Sequence, residues 1–166
     1  MAAVTTLASN AFGFMTAPGT GMSHEVHKGR EATGQTWAKG AVLIVSSGQI
    51  AEASNQPTSA IIGIAAAKAT GTVNSEVLYY PATVAQVFEA TLENQATAGH
   101  TLAITDLWTK YGLYKDTNGI WYINFNDTTN KAVTVIGTRL DSDIDNATVR
   151  ARVLCRFISS ACEFHS

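Results

Sequence analysis

Tyr111 to Phe125 reads YGLYKDTNGIWYINF, two short β-rich runs on either side of Asp116-Thr117-Asn118-Gly119. Asn-Gly between such runs is a strong short-range hairpin signal, because both residues tolerate positive φ. The runs predict strands over Tyr111–Lys115 and Ile120–Phe125. Downstream, Ala132–Gly137 and Ala147–Ile158 read as further strands, joined by the acidic loop Asp141–Asn146. Upstream, Gln86–Leu92 places Phe88, Ala90 and Leu92 on one face, predicted to be buried, and Val87, Glu89 and Thr91 on the other. Before it lie Thr72–Tyr80, the apolar Ala60–Ala67 with a plausible turn at Thr70-Gly71 between the two, and Ala41–Val45 followed by a turn at Ser46-Ser47-Gly48. The one helical candidate, Asp106–Tyr111 with Thr105 as N-cap, is barely longer than a turn. Short strands punctuated by turn residues predict an all-β fold, a small β-barrel or β-sandwich.

The grammar changes at Trp37. Residues 1–35 show neither a 3.6 nor a 2.0 period and carry Gly13, Pro18, Gly19, Gly21, Gly29 and Gly34 together with Phe12 and Phe14. They read as an extended N-terminal arm with Phe12 and Phe14 as candidate anchors on a partner, and residues 36–166 as a single barrel or sandwich domain.

Composition narrows the function classes. A chain of 166 residues is long enough for one domain with a real core. Charged residues make up 14%, where about 25% is usual. A net charge of −2 offers no basic face, so no direct contact with nucleic acid is expected. Such sparse ionisation suggests a surface that meets other protein. No Lys or Arg precedes Lys28, so a secretory leader is not expected. The longest apolar run, Ala60–Ala67, falls far short of the about 20 residues that a spanning helix needs, and no membrane contact is expected. Cys155 and Cys162 are too few for a disulfide framework and read as free thiols.

No constellation points to chemistry. Asp141, Asp143 and Asp145 resemble the opening of a Ca²⁺ loop, but Asn146 stands at the sharp-turn position and Arg152 where a bidentate Glu would close the site. His24 and His27 read as a surface pair with no third ligand nearby. No Gly-x-Ser-x-Gly elbow, P-loop or dinucleotide fingerprint is present, Cys155 lies inside an apolar strand, and neither metal nor cofactor is implied. The organised feature is the last strand. There Val149, Ala151, Val153, Cys155 and Phe157 alternate with Arg150, Arg152, Leu154, Arg156 and Ile158, spacing arginines along one face at about 7 Å. Arg150, Arg152 and Arg156 are either a contact row for acidic groups on a neighbouring protein, or else a solvated face or a row paired across strands with carboxylates such as Glu76 or Glu89. Trp37, Trp108 and Trp121 would supply stacking faces if the chain bound carbohydrate.

Several stretches carry a resemblance: GQTWAKGAVLIV with the SGQIAEA that follows (34–53), IIGIAAA (61–67), VLYYPA (77–82), VFEA (87–90) and KYGL with its Asn-Gly hairpin (110–119). In this order the chain resembles the capsid decoration, or cement, proteins of tailed bacteriophages. The resemblance implies a small β-barrel or sandwich body, often a homotrimer, with terminal arms across joints between subunits of the major capsid protein. It also implies a non-enzymatic role on the capsid surface of the virion. The first 30 residues and the arginine-bearing strand match less, so contacts made there are not carried over. Another virion component, such as a head-fibre base or tail protein, and a carbohydrate-binding module are the alternatives.

Overall fold

The structure, a computed structural model, describes residues 15–16, 25–93, 101–138 and 152–163. Among these residues eleven strands follow in chain order: β1 (Met15–Thr16), β2 (His27–Arg30), β3 (Val42–Ser46), β4 (Gln49–Glu52), β5 (Ile61–Ala65), β6 (Glu76–Pro81), β7 (Phe88–Glu93), β8 (Lys110–Lys115), β9 (Trp121–Asn124), β10 (Val133–Gly137) and β11 (Arg152–Phe157). They make two sheets, as the all-β reading expects. One has the order β2-β6-β5-β3-β4 and the other β1-β7-β11-β10-β8-β9. In the second, β7 also pairs in parallel with β9, which closes β7 to β11 into a five-stranded barrel. The first sheet is brought round in the same way: Glu31 bridges Ile50 of β4 in parallel, and the Ala32 N–H donates to the Ile50 carbonyl at 2.8 Å.

The two rings are one design used twice. Numbering strands within each ring, both run first-fifth-fourth-second-third, antiparallel except for the parallel closure of first on third. Their registers correspond at every strand pair, apart from a bulge at Leu43/Ile44 in the first ring and one at Val135/Gly137 in the second. Gly29 opposite Val77 corresponds to Ala90 opposite Val153, and Gly63 opposite Pro81 to Val133 opposite Phe157. Leu43 opposite Gly63 then corresponds to Tyr111 opposite Val133, Ile44 opposite Ala51 to Gly112 opposite Asn124, and the closing pair Glu31–Ile50 to Leu92–Ile123. Inward positions match: Val77, Tyr79 and Pro81 are buried in β6, as are Val153, Cys155 and Phe157 in β11. Alternating burial with period two is what fixes such a register, since a slip by one residue would turn the apolar set outward.

The rings share one contiguous apolar core and are tied by polar bonds as well. The loop after β4 reaches the second ring: Asn55 Oδ1 accepts from the Lys115 N–H at 2.6 Å, the Gln56 N–H donates to the Leu113 carbonyl at 3.2 Å, and Gln56 Nε2 donates to Asp127 Oδ2 at 2.9 Å. The end of the chain returns to the first ring, where the Glu163 N–H donates to the Ile61 carbonyl at 2.9 Å.

Four details differ from the sequence reading. The hairpin forms, but only Gly119 of its Asn-Gly pair takes a positive φ, of 80°; Asp116 Oδ1 holds the turn by accepting from the N–H groups of Asn118 and Ile120 at 2.9 and 2.8 Å. An aspartate that bonds its own turn replaces the tighter geometry. The expected helix over Asp106–Tyr111 is a single 3₁₀ turn, Ile104–Asp106, because Tyr111 is already in β8 and pairs with Val133. β7 is buried on both faces, Glu89 and Thr91 included, since barrel neighbours and β1 surround it. Finally, β2 lies inside the stretch read as an arm; its Gly29 and exposed Lys28 and Arg30 hide the strand pattern.

Candidate interaction surfaces

The cation row of the last strand is split. Arg150 lies outside the described residues, as do Phe12, Phe14, His24 and the acidic loop Asp141–Asp145. Arg152 and Arg156 are on β11, on the face opposite buried Val153, Cys155 and Phe157, so the alternation is as expected. Arg152 Nε stands 2.8 Å from Glu89 Oε1, the cross-strand pairing weighed above. Its carboxylate partner is 3% exposed, which gives Arg152 a structural task, whereas Arg156 is exposed to solvent. Glu76, the other carboxylate weighed, pairs instead with Lys28 at 3.1 Å.

These two ion pairs occupy equivalent places in the two rings with their polarity reversed. Lys28 corresponds to Glu89 and Glu76 to Arg152, in each case a diagonal contact between the first and fifth strand. The surroundings differ. Met15 and Thr16 of β1 pair with Glu89 and Phe88, laying a strand over that edge of the second barrel. At the corresponding His27 and Lys28, no strand among the described residues pairs on the side away from β6, and Lys28 and Glu76 are 65% and 53% exposed.

A second surface is apolar and was not legible as such in the sequence. Ile104 and Trp108 are 66% and 72% exposed. The segment that presents them is clamped from within: Asp106 Oδ2 accepts from the Ala103 N–H at 2.8 Å and its Oδ1 accepts from the Tyr111 hydroxyl at 2.6 Å. Burial, with that bond added, pushes the Tyr111 phenol well above its ordinary range. Trp108 has a φ of 66° while its N–H donates to the Val135 carbonyl at 2.7 Å. A bulky residue in the left-handed region is strained, a cost of about 1–3 kcal/mol that the surrounding bonds sustain. Reading this segment as a helix obscured the patch. Trp37 and Trp121 are buried, their Nε1 atoms donating to the Ala67 carbonyl at 3.2 Å and Glu52 Oε1 at 2.9 Å, so of the three tryptophans only Trp108 offers a stacking face.

Between the rings lies an open cleft of about 380 Å³ bordered by Trp37, Glu52, Lys115 and Asn118. Its charged groups are mutually engaged: Lys115 Nζ is 3.1 Å from Glu52 Oε2 and 5.6 Å from the centre of the Trp121 ring. This is a structural strut at the junction.

Cys155 and Cys162 are free and buried. Burial, reinforced by Glu89, raises the Cys155 thiol far above its usual range, and burial pushes Cys162 up to about 11, so both stay protonated and unreactive at neutral pH. His27 stands 3.4 Å from Glu25 with its ring edge-on to Tyr79. Among the described residues no cluster of three or more His, Cys, Asp or Glu could hold a metal ion, and no helix is long and apolar enough to cross a membrane. Comparison with known proteins finds no matching family model, curated protein or solved structure.

Proposed function

We propose that the chain is a structural protein of a tailed-bacteriophage virion, a decoration or cement protein that binds the outside of the major capsid protein lattice and stabilises the head. The observation that carries this reading is the exposed Ile104–Trp108 patch on a rigid double ring whose chain is only 14% charged. Two large apolar side chains held outward, Trp108 at the cost of backbone strain, suit a surface completed by other protein. The resemblance of residues 34–137 to cement proteins points the same way. Such a fastener works without chemistry: bridging adjacent capsomers raises the barrier to their separation, and many weak copies suffice. The partner is the major capsid protein and the working unit a homotrimer.

Purified protein added to expanded, undecorated capsids is expected to bind at a fixed stoichiometry and raise their disruption temperature. Absence of binding at micromolar concentration rejects the reading, and locating the chain elsewhere in purified particles reassigns it to a fibre base or tail. Trp108→Ala and Arg156→Glu probe the contact. The first is expected to weaken attachment at every ionic strength, the second chiefly at low salt, because screening already weakens exposed charges.

A further inference from the structure

The two rings provide an internal control for what a sheet edge needs. In the second ring the first strand, β7, is held on one side by β11 along Phe88–Thr91. On its other side β9 pairs only at Leu92 and Glu93, and the remaining edge at Phe88 and Glu89 is filled by β1. In the first ring, β6 holds β2 along His27–Arg30, and the closing bridge to β4 touches only Glu31. The edge corresponding to the β1 slot is therefore His27 and Lys28, which no strand among the described residues covers. Half of the main-chain groups of a strand in an antiparallel ladder point away from its partner, so β2 presents donors and acceptors there. Val26, which corresponds to the buried Val87, is 44% exposed at the head of this edge.

We infer that the β2 edge at His27 and Lys28 is an acceptor for an extended acidic segment of a partner protein, added as a strand in the way β1 adds to β7. The charge pattern selects the occupant. Lys28 and Arg30 are the exposed positions of β2, Arg30 with one Nη donating to the Asn74 carbonyl at 3.0 Å, and Val26 continues their face, so a strand laid alongside meets these two cations and one apolar side chain at every second residue. Their anionic neighbour Glu76 lies across on β6, on the far side from the incoming strand, and Glu25 stands against His27 beyond the end of the strand. Pairing with β2 of a second copy would set Lys28 and Arg30 against their own kind, which is unfavourable for directly opposed side chains. An alternating run of carboxylates and apolar residues satisfies both the main chain and the side chains. This assignment stands on the repeat and the charge pattern, and does not depend on the capsid reading.

The test uses the full chain and three capped nine-residue peptides: one alternating Asp with Val and Thr, one with Lys in place of Asp, and one acidic but N-methylated at every amide, so that neither strand edge can donate. The acidic peptide is expected to shift the backbone resonances of Val26–Arg30 on titration. The Lys peptide is expected to bind about tenfold more weakly, since two cross-strand pairs turn from attractive to repulsive. The N-methylated peptide, unable to complete the ladder, is expected not to bind. No binding of the acidic peptide at millimolar concentration, or equal binding of all three, overturns the inference. So does amide exchange at Lys28 in the isolated protein as slow as at Glu89, the two residues whose main-chain groups face the slot, which would mean that the chain fills the slot itself.

Discussion

The two rings share a connectivity and, bulges on β3 and β10 apart, corresponding registers, yet at equivalent positions they carry different residues. His27 stands where the second ring has Phe88, Gly63 where it has Val133, and Glu31 where it has Leu92. What is held in common is the inward parity of the strands, Val77 with Val153 and Tyr79 with Cys155. The backbone plan thus rests on which positions face the core, and individual contacts are interchangeable as long as each is satisfied. Glu31 shows how far this goes. Fully buried where the other ring has a leucine, it accepts from the Thr70 N–H and hydroxyl at 2.8 and 2.7 Å and from the Gly71 N–H at 2.7 Å, pinning the loop between β5 and β6.

The largest test of the equivalence is truncation. Removing residues 1–24 takes away β1 but leaves β2, and the product is expected to remain cooperatively folded, with faster amide exchange at Glu89, whose main chain faces β1. Removing residues 1–30 deletes β2, the first strand of the first ring, and is expected to abolish cooperative unfolding of that ring in urea. If both truncations melt alike, β2 is dispensable and the two rings are not equivalent.

Next come the core positions. A Cβ on Gly63 would meet the Tyr80 carbonyl, so β5 and β6 approach too closely there for any side chain. Gly63→Val, which installs the side chain type of its counterpart, is expected to cost more than about 3 kcal/mol in urea unfolding, because main chain cannot step aside as a side chain can. Val133→Ala removes two buried methyl-sized groups and is expected to cost about 1.5–2.5 kcal/mol. Equal costs would show that the first ring is looser than its contacts imply.

How much of this was open to sequence reading follows from the same comparison. The strands around the Asn-Gly hairpin, the apolar β5 and the alternating β11 announce themselves, since period-two burial is written directly in residue type. The duplication does not. Equivalent strands keep the same inward positions but share few residues and differ in outward burial, and loops of unequal length change the spacing from strand to strand. β2 was invisible because Lys28, Gly29 and Arg30 supply no apolar alternation; tertiary pairing with β6 makes it a strand. Among site residues, the pairing of Arg152 with Glu89 was anticipated as one of two readings, while the exposed Ile104–Trp108 patch depends on a turn held by Asp106, a contact with Tyr111 that no local pattern announces.

The loops that join the rings allow a pH test. Burial alone would raise the carboxyl of Asp127, but hydrogen bonds from the Asn130 main chain, Gln56, the Asn130 side chain and the Thr129 main chain outweigh it and hold the group below the ordinary carboxylate range. A depressed folded-state value means that the unfolded chain binds the proton more readily. The stabilisation is present in full above the unfolded value and is lost as pH falls through the folded one. Asp127→Asn is expected to cost about 1–2 kcal/mol at pH 7 and progressively less as the pH falls below the ordinary carboxylate range, as read from urea midpoints at a series of pH values. A pH-independent loss would assign Asp127 a purely steric role.

The smallest effect separates the two inverted ion pairs themselves. Arg152→Ala takes the guanidinium from a carboxylate that is 3% exposed, and partial exposure of the arginine reduces the loss from that of a fully buried pair to about 2 kcal/mol. Lys28→Ala breaks a pair in which both side chains are more than half exposed, and is expected to change stability by no more than about 0.5 kcal/mol, vanishing in 1 M salt. The same diagonal contact, in the same place in the same ring, therefore carries a several-fold different weight because one carboxylate lies against β1 and the other faces water. A Lys28→Ala loss as large as that of Arg152→Ala, undiminished by salt, would mean that the first-ring edge is already shielded in the isolated chain. Equal but small losses would instead mean that β1 contributes nothing to the worth of the pair beside it.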